Sequence, residues 1–275
     1  MFFYFYITKI FVMKRAVHAT ILLLFTLPTL YTEAQESLNV TDAAGMKQGH
    51  WLVTYENGKP RYEAYFIDNQ PTGEFKRYYD NGGIYALLIY IPGNDTVKAE
   101  FYHDNGFISG KGNYVNQMRE GQWEFYSQYI KDYMVLRENY SDNLREGTSI
   151  KYHWNGNLAE ELIFISDTRE GVWKQYYTDG VLALKSIYSG GKLNGSFEAF
   201  TVNGSPMIKG TYKNDVRDGE WLFWNNDGAF KNKIIYHDGI PENNAELISE
   251  ESKLLDELEK KGGLIEDPAK TGIKW

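Results

Sequence analysis

Glycine recurs along this 275-residue chain at a nearly constant interval of 24 residues. The anchor glycines are Gly49, Gly73, Gly121, Gly147, Gly171, Gly195 and Gly219. One interval is 26 residues, and one of 48 residues spans two periods in which Val97 stands where a glycine is expected. A period of this length is typical of repeat arrays, in which each unit packs mainly against its neighbours. The sequence therefore predicts about eight copies of one unit within residues 48–240.

Each unit has the pattern of two β-strands joined by a turn. In the unit that begins at Gly171, a strand-forming run ends before Asp179-Gly180, and a second run, Val181 to Tyr188, follows. Asp-Gly and Asn-Gly pairs supply the positive φ angles of a tight hairpin turn. Residues 189–194 then form a loop to the next unit. We therefore expect an all-β fold, an elongated single-sheet array of about eight β-hairpins.

Two aromatic positions recur at fixed distances from the anchor glycine. The ring two residues after the glycine belongs to Trp51, Phe75, Trp123, Trp173, Phe197 and Trp221, and the ring five residues after it to Tyr78, Tyr102, Tyr126, Tyr152, Tyr176, Phe200 and Trp224. Strand side chains alternate between faces, so these rows lie on opposite faces unless a bulge near the glycine realigns them. The residue three after the glycine is often charged, so one face contacts water. We favour the arrangement in which both faces are partly covered.

The units share the motif Gly-x-Trp/Phe-x-x-Tyr, an Asp/Asn-Gly turn, and an Arg-Glu/Asp-Gly lead-in. The motif is clearest at residues 119–126, 169–173 and 217–221, whereas the unit at Gly147 has Ser149 in the first ring position. This motif resembles the MORN repeat, and it is most similar to the bacterial MORN-repeat variant proteins of the YwqK-type, antitoxin-like family. The resemblance covers residues 48–240. It implies an array of hairpins and, as a function, an antitoxin role.

The N-terminal 34 residues have the pattern of a signal peptide. A basic start at Met13-Lys14-Arg15 precedes a 12-residue apolar run, and small residues then lead to a cleavage site after Ala34. We expect translation to start at Met13 and the mature chain, beginning near Gln35, to be exported to the periplasm, the outer envelope or the medium. The alternative is one uncleaved anchor, residues 1–30.

Two further segments flank the array. Residues 35–47 are predicted to be an N-terminal linker. In the C-terminal tail, residues 241–275, leucines near helical spacing predict a short helix over residues 245–261. We expect this helix to cap the edge of the sheet, because terminal units of an array must hide exposed backbone groups. A helix that binds a partner is the alternative.

The composition excludes several kinds of chemistry. The chain has no cysteine, which removes disulfides and thiolate catalysis. Its formal net charge of −8 becomes −10 when residues 1–34, with three basic residues and one acidic residue, are removed. An acidic protein repels phosphate groups, so neither nucleic acid nor an anionic membrane is an expected partner. His103 and His153 lie two units apart, about 20 Å, which is too far for one metal ion. We predict no catalytic residue, no metal and no cofactor.

The aromatic surface is the remaining candidate for function. The position six residues after the anchor glycine holds Tyr55, Tyr79, His103, His153 and Tyr177. Exposed rings there would stack on sugars or on peptide side chains, whereas packed rings would only hold the array together. We predict a non-enzymatic exported protein that binds another protein through an extended sheet surface. The alternatives are a module that binds envelope glycan with its aromatic rows and an antitoxin or immunity-type partner of a basic toxin.

Overall fold

The computed structural model of the protein describes residues 37–242 and Lys253. Residues 37–242 form strands and turns without a helix. The strands are β1 (Val40–Thr41), β2 (Lys47–Thr54), β3 (Pro60–Ile67), β4 (Gln70–Tyr78), β5 (Ile84–Tyr90), β6 (Thr96–Tyr102), β7 (Ile108–Val115), β8 (Met118–Tyr126), β9 (Met134–Ser141), β10 (Leu144–Arg145), β11 (Gly147–Tyr152), β12 (Leu158–Ile165), β13 (Thr168–Tyr176), β14 (Leu182–Ser189), β15 (Lys192–Phe200), β16 (Pro206–Lys213), β17 (Val216–Trp224), β18 (Phe230–His237) and β19 (Ile240–Pro241). The predicted signal peptide lies outside the described residues, as does the predicted C-terminal helix apart from Lys253.

Consecutive strands pair in antiparallel fashion and make one open sheet. Strands β10 and β11 both pair with β9, so together they act as one interrupted strand. The predicted fold class, an all-β single sheet of repeated hairpins, is confirmed. The region predicted as a linker contributes β1, which pairs with the N-terminal end of β2 through Val40 and Gln48.

The Asp-Gly and Asn-Gly pairs form three-residue loops, which we call glycine turns. In the first unit the Gly58 N–H donates to the Tyr55 carbonyl at 2.9 Å, and the Tyr55 N–H donates to the Lys59 carbonyl at 2.8 Å. Among the three loop residues, Glu56 to Gly58, only Gly58 has a positive φ, +79°. The expectation of tight turns with positive φ at both residues was wrong, because the Asn57 side chain accepts the Lys59 N–H at 3.0 Å and stabilises a type I turn.

Two-residue turns lie instead at the other ends of the strands, where the sequence predicted a loop. Two successive residues with positive φ occur at Asp68-Asn69, Asn116-Gln117, Asp142-Asn143, Ser166-Asp167, Gly190-Gly191, Asn214-Asp215 and Asp238-Gly239. This pattern defines type I′ turns, whose twist matches that of antiparallel strands. We call them the paired turns. Tight turns therefore join the strands at both edges of the array.

Anchor glycines create β-bulges at the junctions between units. Gly171 has a φ of +72°, and the register between β12 and β13 shifts beside it. The junction at Val97 has no such bulge, because β5 and β6 pair without any shift. A five-residue connection, residues 91–95, replaces the paired turn there. Glycine is thus needed where the bulge imposes positive φ, and a β-branched residue is accepted where the strand is regular.

Gly171→Val should lower the free energy of unfolding by about 1–2 kcal/mol, because a β-branched side chain is strained at positive φ. Its Cβ would make only an ordinary contact, 3.4 Å from Ile163 Cδ1, so backbone strain dominates the cost. Glu170→Ala, a change at the neighbouring surface position, should cost no more than about 0.5 kcal/mol. Urea denaturation of both variants measures the difference, and equal midpoints would contradict the assignment.

The two faces of the sheet differ in burial, and both are partly covered. Trp123 and Phe125 lie on one face and are at most 1% exposed. On the opposite face the Tyr126 hydroxyl donates to Glu124 at 2.6 Å, and both side chains are half-buried. We call these the core face and the solvent face. The first aromatic row therefore lies on the core face and the second on the solvent face, as the alternation of strand side chains predicts.

Candidate functional site

The five predicted binding residues all contact the next unit along the array. Tyr55, Tyr79 and Tyr177 donate their hydroxyls to the carbonyls of Tyr78, Tyr102 and Phe200 at 2.6, 2.7 and 2.7 Å. The Nε2 atoms of His103 and His153 lie 3.2 and 2.7 Å from the carbonyls of Tyr126 and Tyr176, which fits the tautomer that donates from Nε2. These side chains connect successive glycine turns. A role in binding stays a prediction.

Alkaline pH should weaken this row of contacts. Burial, with smaller contributions from Tyr85 and Asp104, raises the pKa of Tyr79 from 10.0 to about 12. The stabilisation is complete below pH about 10 and is lost as the pH rises towards about 12, because only the unfolded chain ionises in that window. The urea midpoint should fall across this range, and it should fall less in Tyr79→Phe, which cannot ionise. Identical pH profiles for the two proteins would contradict this.

The acids that precede the anchor glycines bind the neighbouring paired turns. Oε2 atoms of Glu120, Glu146 and Glu170 accept backbone N–H groups of the next paired turn at 3.1, 2.8 and 2.7 Å. Side chains of the paired turns in turn accept backbone N–H groups beside the acids, as when Asn143 Oδ1 accepts the Arg119 N–H at 2.7 Å. This recurring exchange supports the structural interpretation of these carboxylates over a catalytic one.

The basic residue two positions before the anchor lies over the ring that closes the same unit. The Cζ atom of Arg119 is 4.3 Å from the ring centroid of Tyr140, and that of Arg145 is 3.9 Å from the centroid of Phe164. Lys47, Arg169 and Arg217 occupy equivalent positions. The aliphatic carbons of each basic side chain cover one edge of the core face. Its charged group is attracted by the aromatic ring beneath it.

A charged cluster lines the solvent face beside a cleft of about 290 Å³. Lys111 Nζ lies 3.0 Å from Glu124, which also accepts the Tyr126 hydroxyl. The hydrogen bond from Tyr126, followed by those from Lys111 and Gln122, lowers the pKa of Glu124. Hydrogen bonds to Tyr126 and Glu124 raise the pKa of Lys111. Neither charge is therefore poised to exchange a proton near neutral pH, which disfavours acid–base catalysis here.

Polar side chains interrupt the core face at the unit that begins at Gly147. The hydrophobic core forms one cluster from Ala86 to Tyr140 and another from Leu162 to Tyr236. Between them Ser149 takes the place of a ring and donates to Glu138 at 3.1 Å. The serine is visible as an exception in the sequence pattern, but its buried partner is not, because a separate strand supplies it.

A second buried carboxylate lies on the far side of this interruption. Glu160 binds Lys151 Nζ at 2.8 Å through one oxygen. Its other oxygen accepts the Trp173 indole N–H at 3.2 Å and a Gln175 amide N–H at 3.1 Å. The carboxylate is thus paired and hydrogen-bonded, as buried charges in proteins generally are. These contacts stabilise the fold and leave neither oxygen without a partner.

The exposed apolar side chains include two aromatic residues on neighbouring connections, one in the loop of residues 127–133 and one on the glycine turn of the next unit. Tyr129 is 84% exposed and Trp154 is 73% exposed. Neither residue was among the binding residues predicted from the sequence. The signal was present, because Trp154 stands seven residues after its anchor, where other units have Glu56, Asp80, Asp104, Gln128, Thr178, Val202 and Asn226.

Neither a metal centre nor a membrane-spanning helix is found among the described residues. No group of three or more histidine, cysteine or carboxylate side chains in this part of the chain has an arrangement that could hold a metal ion. Within the same residues no helix is long and apolar enough to cross a bilayer.

Comparison with known families agrees with the repeat geometry. The model of the MORN repeat variant matches residues 47–68, 71–91 and 169–189. Each matched segment covers the paired strands of one hairpin, and MORN repeats form β-hairpin structures that often mediate binding. No curated protein matches the chain. The chain therefore contains repeats similar to the MORN variant, within an array that extends well beyond the matched segments.

Proposed function

We propose that this protein is a non-enzymatic scaffold that binds another protein through the exposed surface of its repeat array. The observation that carries the proposal is that the repeated polar side chains make their contacts within the array. The tyrosine and histidine row, the carboxylates before the glycines and the basic residues over the rings all bind the array itself. What the array offers to other molecules is therefore a rigid surface of similar neighbouring units, the kind of surface with which repeat proteins bind partners.

Export belongs to the same proposal. The basic, apolar and small-residue pattern of residues 13–34 supports a mature chain that begins near Gln35 and acts in the periplasm, the outer envelope or the medium. N-terminal sequencing of protein recovered from these fractions tests it. Recovery of membrane-bound protein that retains residues 1–30 would contradict it.

A basic toxin is the more specific candidate partner. The seven glycine turns with their flanking residues, together with the loop of residues 127–133, carry the acids Glu56, Asp80, Asp104, Asp132, Asp179 and Asp227, against Lys59 and Lys131. This acidic edge favours a basic protein surface by charge complementarity. Binding of envelope glycan has less support, because the hydroxyls of the Tyr55, Tyr79 and Tyr177 row are bonded within the array and burial raises the pKa of Tyr79 and Tyr177.

Affinity capture on the immobilised full chain, run beside a glycan array, tests the proposal. We expect a defined protein to be retained in stoichiometric amount and to be released more readily as the salt concentration rises. Specific binding of a glycan without a protein partner would favour the alternative. A turnover that a single carboxylate or histidine substitution abolishes, with the fold intact, would show that the protein is an enzyme.

A further inference from the structure

Two consecutive units, those beginning at Gly121 and Gly147, depart from the repeat at a turn or a core position. The glycine turn of the first is replaced by a loop two residues longer, residues 127–133, and the second has Ser149 in place of a buried ring. The same two units carry Tyr129, Ile130 and Trp154, which are 84%, 48% and 73% exposed. We call these three side chains the aromatic tip.

Hydrogen bonds between neighbouring turns hold the backbone that carries the aromatic tip. Asn105 donates to the Gln128 carbonyl at 2.8 Å, which ties the long loop to the turn before it. On its other side the Tyr133 hydroxyl donates to the His153 carbonyl, and Asn155 donates to the Thr178 carbonyl at 2.7 Å. The backbones of the two turns are thus fixed in relation to each other, which lowers the entropic cost of binding.

Maintenance of the fold does not explain the tip. Side chains so exposed bury little apolar area, and six of the seven other units place a polar residue at the position of Trp154. Isolated exposed apolar residues are common and need no explanation, as with Val202, which is 52% exposed at the equivalent position. Two aromatic residues and an isoleucine on neighbouring turns are a different case, since tryptophan and tyrosine dominate the energetics of protein interfaces.

The charges around the tip specify the partner further. Asp104 precedes the long loop, Asp132 lies within it, and Asp179 lies on the turn that follows Trp154. Lys131 is the one basic residue on these four turns, so the local balance is acidic. An apolar contact surrounded by carboxylates fits a segment that offers an apolar side chain flanked by lysine or arginine.

We propose that the aromatic tip, Tyr129, Ile130 and Trp154, is a docking site for a basic peptide segment of a partner protein that inserts an apolar side chain between the two turns. This rests on the proposed function as a protein-binding scaffold, and it adds the place of contact and the chemistry of the ligand. Apolar burial at the tip supplies most of the affinity, and the surrounding carboxylates supply selectivity for basic segments.

A random-peptide library, selected on the immobilised full chain, provides the probe. Recovered peptides are synthesised with a fluorescent label, and their dissociation constants are measured by anisotropy. We expect them to combine an aromatic or aliphatic residue with lysine or arginine. Trp154→Thr, which introduces the residue that Thr178 supplies in the next unit, should weaken binding by about tenfold or more.

Matched controls separate the tip from the rest of the edge. Val202→Thr makes the same kind of change at the same turn position and should leave affinity unchanged. Asp132→Asn should weaken binding by about two- to fivefold, as expected for one exposed charge. Asp227→Asn removes the same charge at a distant turn and should leave the affinity for the peptide unchanged. The turn itself should persist, because Asn57 accepts the same backbone hydrogen bond in its own turn that Asp227 accepts here.

The possible results separate this proposal from the proposed function. Peptides that bind Trp154→Thr as tightly as the wild-type chain would overturn the tip as the site and leave the scaffold function standing. Selection of acidic peptides would overturn the proposed chemistry of the ligand. Failure of any peptide to be enriched would overturn docking of a peptide segment, while capture of a folded protein partner decides the scaffold function independently.

Discussion

Trp123→Ala should lower the free energy of unfolding by about 3–5 kcal/mol, the range found for deletion of a large buried aromatic side chain. Trp123 is completely buried although it lies on a single sheet. Its ring lies 5.0 Å from that of Tyr114 and 6.2 Å from those of Phe101 and Phe125, and its indole N–H donates to the Asn113 carbonyl at 3.1 Å. Removal of the ring opens a cavity at the centre of its cluster and leaves that carbonyl without its donor.

Urea denaturation followed by circular dichroism measures this cost, with Trp154→Ala as the control. The control removes the same kind of side chain from a largely exposed position and should change stability by no more than about 0.5 kcal/mol. Hydrogen exchange should show that the loss of protection in Trp123→Ala is greatest in β6 to β9, because units of an array contact mainly their neighbours. Equal destabilisation by the two substitutions would contradict the assignment of Trp123 to the core.

The period of the sequence was sufficient to predict the architecture. The units share the positions of their strands and turns. A departure from the pattern at a single position, such as Val97, therefore does not change the predicted architecture. The structure also gives the reason for Val97, since the bulge that requires glycine is missing at that junction. Local sequence could not show this, because a bulge is defined by the pairing of two strands.

The paired turns were predictable but were overlooked. The first residues of these turns are Asp68, Asn116, Asp142, Ser166, Gly190, Asn214 and Asp238, which are spaced almost as the anchor glycines are. Asparagine, aspartate and glycine adopt positive φ most readily, so adjacent pairs of them between strand-forming runs indicate a type I′ turn. The period of the anchor glycines alone does not reveal this second series of turns.

The polar interruption of the core face was beyond the reach of the sequence pattern. Ser149 was visible as an exception in the ring position, but its partner Glu138 belongs to the preceding strand and Glu160 to the following one. Which side chains meet across strands depends on the register, and each bulge changes that register. The exposure of Trp154 was equally hidden, because a turn residue has no fixed face in the strand alternation.

Ring size on the core face varies with the residue that lies beneath the ring. Trp123 and Trp221 lie on glycines, whereas the smaller rings of Phe75 and Phe197 face Ala64 and Ser186. Trp173 is the exception, with Leu162 in the position of the glycine. The Trp173 indole N–H donates to the Glu160 carboxylate and not to a backbone carbonyl. At Gly112 and Gly210, therefore, the indole of Trp123 or Trp221 lies too close to leave room for a side chain beneath it.

Gly112→Ala should consequently destabilise the protein by about 1–3 kcal/mol, the cost of overpacking a filled core. A Cβ at this position would lie 2.3 Å from Trp123 Cδ2, so the ring or the strand must move. Gly110→Ala is the matched control on the same strand and face, where the new Cβ would lie 3.2 Å from Phe125 Cδ1, and it should cost less.

A double-mutant cycle tests whether the ring itself causes the cost of Gly112→Ala. Trp123→Phe combined with Gly112→Ala recreates the alanine–phenylalanine pair that Ala64 and Phe75 form naturally in another unit. The double variant should be more stable than the sum of the two single changes predicts, by about 1 kcal/mol, because the smaller ring makes room for the methyl group. Urea midpoints of the four proteins give this coupling energy directly. Strictly additive costs would show that the close approach of the indole has no part in selecting the glycine.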